Sequence, residues 1–146
     1  MVMTGAASPG RCFAWALLAV RNCGGVLEHP AHSLAWAHHS IAAPPLAGGW
    51  IPSNPRDDGG WTCHVEQGHY GHPARKATWL YCNSKNKAAD LIWGPSPQRL
   101  PAKRLAERGY ESARRCGVVA NMSTKQRQRT PLAFRDVLLS IARSCQ

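Results

Sequence analysis

Two segments of the chain place charged side chains next to short apolar runs that predict buried strands. In the first, Glu28 directly follows Val26-Leu27. In the second, a Gly-His-Pro turn brings Arg75 and Lys76 just before the run that begins at Thr78. Ligands of α/β proteins collect in the crevice at strand ends, so these two places are where we look first for function.

The chemistry of these three side chains indicates recognition of a base or a phosphate. A carboxylate that leaves a buried strand is partly desolvated, which raises its proton affinity and suits Glu28 to share a proton with a base. Arg75 offers a planar fork of donors and Lys76 a mobile point charge, and either suits phosphate or the carbonyl edge of a base. The alternatives are an exposed acid paired with an arginine, and a solvated turn with two ordinary cations.

Metal binding and other common chemistries have weaker support. The six cysteines contain no Cys-x-x-Cys pair, and the spacing of the cysteines and histidines between residues 63 and 82 matches no known zinc finger or ribbon. We therefore predict no metal, although a small zinc-supported binding module remains an alternative. The sequence has no Gly-x-Gly-x-x-Gly, no Walker-type loop and no serine nucleophile elbow, so nucleotide hydrolysis and acyl transfer lack support.

Hydrophobic periodicity and turn residues predict the elements that position these side chains. We expect one domain over residues 11–146, after a flexible N-terminus over 1–10. Pro30 is expected to stop the pairing of the first strand, because proline lacks an amide hydrogen. The predicted elements are a helix over 11–22, a strand at 26–27, a helix over 31–39, a hairpin of strands 61–65 and 78–82, a third strand at 91–93, and a final helix that begins at Pro131.

Positive charge is concentrated in the second half of the chain. Residues 1–70 hold 3 basic and 4 acidic residues, whereas 71–146 hold 15 basic and 4 acidic residues. Such a surface favours a polyanion, through contacts that weaken as salt rises. We expect the basic segment 99–129 to be irregular and its Arg104, Arg114 and Arg115 to contact a nucleic-acid backbone. No run approaches membrane-spanning length, so we expect a cytoplasmic protein without membrane contacts.

Two motifs carry a resemblance to a known family. Glu28-His29-Pro30 resembles the Glu-Asn-Val or Glu-Asn-Pro that ends a strand in cytosine-5 DNA methyltransferases. Gln67, Gly71, Pro73 and Arg75 resemble a later motif of the family, in which Gln and a Gly-x-Pro turn precede Arg-x-Arg; they are one residue short of it, and Arg75-Lys76-Ala77 departs from Arg-x-Arg. The run from Gly71 to Leu80 is similar to the Gly-His-Pro-x-x-Lys-x-Thr-x-Leu of phage-type relatives. The Thr130–Phe134 segment resembles the closing part of such proteins.

The resemblance implies a fold and a function. The implied fold class is α/β, a partial Rossmann-like sheet with flanking helices and a basic irregular C-terminal segment. The implied function is nucleic-acid binding, preferably of DNA, with contacts to a flipped base and to phosphates. Glu28 is the implied catalytic residue, and the implied binding residues are His29, Gln67, His72, Arg75, Lys76, Arg104, Arg114 and Arg115.

The family's S-adenosylmethionine loop and Pro-Cys nucleophile have no counterpart before Arg11, and methyl transfer needs both a thiolate and a bound donor. The isolated chain is therefore not expected to be an enzyme and is expected to bind no cofactor. S-adenosylmethionine and methyltransferase activity are expected only if a protein partner supplies the missing half. The alternative is a phage or mobile-element accessory protein that binds nucleic acid or a host nucleoprotein without enzyme activity, as an inhibitor of defence would.

Overall fold

The computed structural model describes residues 9–54, 59–97, 106–112 and 122–145. The first helix begins at Pro9, inside the segment predicted to be flexible. The elements, in chain order, are α1 (Pro9–Cys23), β1 (Val26–Pro30), α2 (Leu34–His38), β2 (Ile51–Pro52), β3 (Gly60–Glu66), a 3-10 turn (Gln67–Tyr70), β4 (Ala77–Asn83), α3 (106–112), α4 (Thr124–Gln128) and α5 (Leu132–Ser144).

The four strands form one antiparallel sheet in the order β1-β4-β3-β2. The predicted hairpin is confirmed, because β3 and β4 pair from Gly60 opposite Asn83 to Glu66 opposite Ala77. The described fold is thus a mixed α/β fold with flanking helices. Its pairing differs from the parallel pairing expected of a Rossmann-like sheet, since the short connection between β3 and β4 joins antiparallel neighbours and a parallel pair needs a longer crossover.

Strand β1 lies at one edge of the described sheet and pairs only with β4 there, from Val26 opposite Cys82 to Pro30 opposite Thr78. The strand ends at Pro30, as predicted, and Pro30 is itself the last paired residue, opposite Thr78. Proline is tolerated on an edge strand because its missing amide hydrogen can face away from the neighbour.

Side chains alternate between two faces of the sheet, and each face has its own core. On the face covered by α5, which we call the α5 face, Leu80 and Cys82 pack with Val65 and Phe134. On the opposite face, which we call the α1 face, Tyr81 and the partly buried Trp79 pack with a second cluster. That cluster comprises Phe13, Leu17, Val20, Trp36 and Ile41, from α1, α2 and the loop that follows.

Two predicted elements differ in the structure. Residues 91–93 form no strand; Leu91 and Trp93 instead anchor a loop by packing against the α5-face core, which is a second way for a short apolar run to be buried. The segment predicted to be irregular contains α3 and α4. Helix α4 is stabilised by a capping box, in which Ser123 and Gln126 each bond the other's backbone amide.

Candidate functional site

Glu28 lies on the α5 face, where a buried amide fixes its carboxyl. The Gln67 Nε2 group donates to Glu28 Oε1 at 3.3 Å and to Thr78 Oγ1 at 2.9 Å. Gln67 is fully buried at the start of the 3-10 turn, so its side chain has little freedom to move. Of the sequence-predicted residues, Glu28 and Gln67 are thus brought together, and Gln67 acts through Glu28.

Burial raises the pKa of Glu28, and the nearby Lys76 charge lowers it by a smaller amount. The desolvation expected from the sequence is therefore confirmed in direction. A carboxyl with a raised pKa keeps its proton to a higher pH than an ordinary glutamate, and the protonated form can both donate and accept a hydrogen bond. This dual capacity matches a ring nitrogen beside an amino group.

Lys76 lies on the same side as Glu28, but its ammonium group already has partners. Lys76 Nζ donates to the carbonyl oxygens of Gln128 and Arg129, at 3.0 and 2.9 Å. These carbonyls lie at the end of α4, where a cation is favourable. In this arrangement Lys76 ties the α4–α5 connection to the site, rather than offering its charge to a phosphate as the sequence suggested.

Arg75 points to the opposite face of the sheet. Its Nε lies 3.7 Å from Glu66 Oε1, and Glu66 follows Val65, whose side chain belongs to the α5-face core. Arg75 and Glu66 line a cavity of about 320 Å³ together with His32 and His64. From the sequence, Arg75 and Lys76 were predicted to act together beside Glu28, and in this respect the structure differs.

Glu66 was not predicted as a site residue from the sequence, although its carboxylate lines this cavity and is held by a backbone hydrogen bond. Its Oε2 accepts a hydrogen bond of 2.7 Å from the backbone amide of Ser96, and its Oε1 lies 3.9 Å from His64 Nε2. Trp79 Nε1 donates to His64 Nδ1 at 3.1 Å, which places the hydrogen of a neutral His64 ring on Nε2. Burial lowers the pKa of His64. The register of the hairpin could have indicated this contact, because Glu66 pairs opposite Ala77, only two residues from Arg75.

His29 does not face Glu28. Adjacent residues of a strand point to opposite faces, and the His29 ring packs against Phe13 and Trp36 on the α1 face, with ring centroids 5.0 and 6.0 Å apart. Its Nε2 lies 2.9 Å from Ser33 Oγ. The expectation that His29 faces the same base as Glu28 is therefore corrected.

His72 was predicted to contact nucleic acid, but its side chain is buried inside its own turn. It is 2% exposed, and its Nδ1 accepts a hydrogen bond of 3.0 Å from the Ala74 amide. A nucleic acid would have no access to this ring in the observed conformation. Arg104, Arg114 and Arg115 lie outside the described residues.

The zinc alternative finds no ligand set in the part of the chain that the structure describes, where no three histidine, cysteine, aspartate or glutamate residues form a metal-holding group. Burial raises the pKa of the Cys63 and Cys82 thiols, which disfavours the thiolate that binds zinc.

Within the same described ranges, no helix has the length and apolar character to cross a membrane.

The raised pKa of Glu28 predicts that Glu28→Gln is at least as stable to urea as the wild type at pH 7. A carboxyl whose folded pKa exceeds its ordinary 4.5 favours folding below that pH, and the contribution is lost as pH rises through the folded pKa. Glutamine keeps the bond from Gln67 and does not titrate. The urea midpoint of Glu28→Gln minus that of the wild type should therefore increase as pH rises from 4 to 8. A difference that is smaller at pH 7 than at pH 4 would contradict this.

No family model matches the chain, and neither a curated protein nor a solved structure matches it.

Proposed function

We propose that this chain binds DNA and recognises an extruded cytosine at Glu28, as the base-contacting part of a methyltransferase-like protein. The observation that carries the proposal is the Glu28 carboxyl, which is held by the buried Gln67 amide and whose pKa is raised by burial. This agrees with the role that the resemblance implies for Glu28.

The proposed contact is a proton-sharing pair. Cytosine presents a ring-nitrogen acceptor next to an amino donor. A protonated Glu28 would donate to the ring nitrogen and accept from the amino group. Gln67 is a positioning residue in this arrangement, because it contacts the carboxyl and not the base.

Helix α4 supports binding of the phosphate backbone. Its Lys125 and the adjoining Arg129 are exposed, and Lys76 links the end of this helix to the Glu28 side of the sheet. Cations at this place would neutralise phosphates near the extruded base, and the resulting affinity falls as salt rises.

The proposal assigns the transfer chemistry to a protein partner. The chain's residues do not fit S-adenosylmethionine as the family binds it, because the sequence has no glycine-rich donor loop. We propose that the partner supplies this loop, the nucleophilic cysteine and the parallel strands of a Rossmann-like sheet. The edge strand β1 offers backbone groups with which such strands could pair.

The proposal is tested with a DNA duplex in which one cytosine lies opposite an abasic site. Wild-type protein should bind this duplex up to about tenfold tighter than the same duplex carrying pyrimidin-2-one, which lacks the amino group, because a hydrogen bond between neutral groups contributes about 0.5–1.5 kcal/mol. Glu28→Ala should lose this preference. Wild-type affinity should also fall by up to tenfold per pH unit above the Glu28 pKa, since binding takes up one proton, whereas Glu28→Gln should show no such dependence.

Asp90→Asn is the matched control, because Asp90 is an exposed carboxylate in a loop away from the contacts described above. It should keep both the preference for cytosine and the pH dependence. Equal affinity of wild-type protein for the two duplexes, or an unchanged preference in Glu28→Ala, would refute base recognition at Glu28.

A further inference from the structure

The cavity on the α1 face takes no part in the proposed contact at Glu28. It has a volume of about 320 Å³, near the lower limit of pockets that hold small molecules and large enough for one base. Its polar wall contains Arg75 and Glu66, while Leu46, Ala47 and Pro95 form an apolar wall. Such a combination suits a ligand with a flat apolar face and a polar edge.

Glu66 lies beside the Arg75 guanidinium and favours one direction of that side chain. The Glu66 carboxylate is 4% exposed and is fixed by the Ser96 amide at 2.7 Å. It faces the Nε side of the Arg75 guanidinium at 3.7 Å. The Arg75 side chain remains 47% exposed, so its terminal nitrogens are accessible, and within the described ranges no hydrogen bond to them is observed. A guanidinium oriented in this way presents two parallel donors.

The negative charge of Glu66 beside Arg75 determines which kind of ligand can bind there. A phosphate at Arg75 would lie close to the Glu66 carboxylate and be repelled by it, whereas a neutral ligand avoids this cost. The ligand should therefore be neutral and present two adjacent acceptors. On the major-groove edge that a base pair leaves open, only guanine does so, through O6 and N7, since adenine and cytosine place an amino donor on that edge and thymine a methyl group.

We propose that Arg75, at the mouth of the α1-face cavity beside Glu66, contacts the O6 and N7 atoms of a guanine through its major-groove edge. This inference rests on the proposed function, because it takes the guanine to belong to the same DNA whose extruded cytosine contacts Glu28. Arg75 and Lys76 are consecutive residues at one end of the sheet, so a strand that passes over this end would contact both faces. Arg75 would thereby add sequence preference to the phosphate contacts proposed for Lys125 and Arg129.

The test uses the abasic duplex described above, with guanines on both sides of the cytosine, and a second duplex in which 7-deazaguanine replaces every guanine. This replacement removes N7 and leaves base pairing and charge unchanged. Wild-type protein should bind the guanine duplex about tenfold tighter. Arg75→Lys keeps the charge but loses the rigid fork, so its preference for the guanine duplex should be much smaller than that of the wild type.

Arg11→Lys is the matched control, because Arg11 is an exposed arginine of α1, and it should keep the wild-type preference. If wild-type protein binds both duplexes equally but still prefers cytosine to pyrimidin-2-one, the guanine inference fails and the function at Glu28 stands. If Arg75→Lys weakens binding to both duplexes by the same factor, Arg75 contacts phosphate and the inference also fails. Binding to neither duplex would refute both proposals.

Discussion

Replacing Phe134 with alanine is expected to lower the free energy of unfolding by about 3–5 kcal/mol. Phe134 is fully buried and belongs to the core between α5 and the sheet. Its ring also packs on Tyr70 of the 3-10 turn, with ring centroids 5.2 Å apart. Alanine would remove this burial and leave a cavity that the surrounding sheet can fill only in part. Since small domains are stable by about 5–15 kcal/mol, the loss is a large fraction of the total.

The control for Phe134→Ala lies two residues away on the same helix. Leu132 is 65% exposed, so Leu132→Ala should change stability by less than about 0.5 kcal/mol. Urea denaturation followed by tryptophan fluorescence measures both variants. Similar midpoints for the two variants would show that α5 does not pack on the sheet as described.

The second large effect is expected for Trp36→Ala on the other face of the sheet, also at about 3–5 kcal/mol. Trp36 is 1% exposed and lies at the centre of an aromatic group, 5.0 Å from Phe13 and 5.8 Å from Trp79 between ring centroids. Its Nε1 donates to the Pro30 carbonyl at 2.9 Å. Alanine would remove both the packing and the donor to the last residue of β1.

Two further variants separate these contributions. Trp36→Phe keeps an aromatic ring at this position but loses the indole donor and a smaller part of the packing, so it should cost about 1 to 2 kcal/mol. Leu34→Ala, on the same short helix at 86% exposure, should be close to neutral. We expect Leu34→Ala to have the highest urea midpoint, Trp36→Phe an intermediate one and Trp36→Ala the lowest. Any other order would contradict the placement of α2 against the sheet.

The two proposed contacts lie on opposite faces of one end of the sheet. Glu28 depends on Gln67, whose 3-10 turn packs against α5, while Arg75 depends on Glu66 and on the loop that contains Ser96. The pair Glu66-Gln67 therefore holds both contacts from the end of β3. Because the two contacts use separate side chains, each can be removed by mutation without removing the other.

Local patterns were sufficient for most of the elements. The apolar spacing in α1, followed by Gly24, predicts a helix and its end. In the structure Gly24 has the positive φ of a helix-ending glycine, +75°. The apolar runs on both sides of the Gly71 turn predict the β3–β4 hairpin, and Pro131 predicts the start of α5. These signals act between residues that are close in the chain, which is why they could be recognised without a structure. Burial of Glu28 beside a short strand was predictable for the same reason.

The arrangement of the site depended on contacts between distant parts of the chain. Lys76 has a φ of +41°, in the left-handed region that non-glycine residues rarely adopt. Even so, Lys76 and Arg75 lie on the faces that alternation from Thr78 and Ala77 gives them. What the sequence did not indicate is that Gln67 and Glu66 would each hold a separate contact on one of these faces. The burial of His72 and the turn of His29 toward Phe13 likewise depend on packing partners in other elements.

The sequence by itself therefore determined the α/β character, the hairpin, the flanking helices and the basic second half. Only the tertiary structure decided the antiparallel order β1-β4-β3-β2, the separation of Arg75 from Glu28, and the pairing of Arg75 with Glu66. The physical reason is that strand order and side-chain partners are set by which apolar faces bury each other. That choice depends on residues far apart in the chain, which no local pattern specifies.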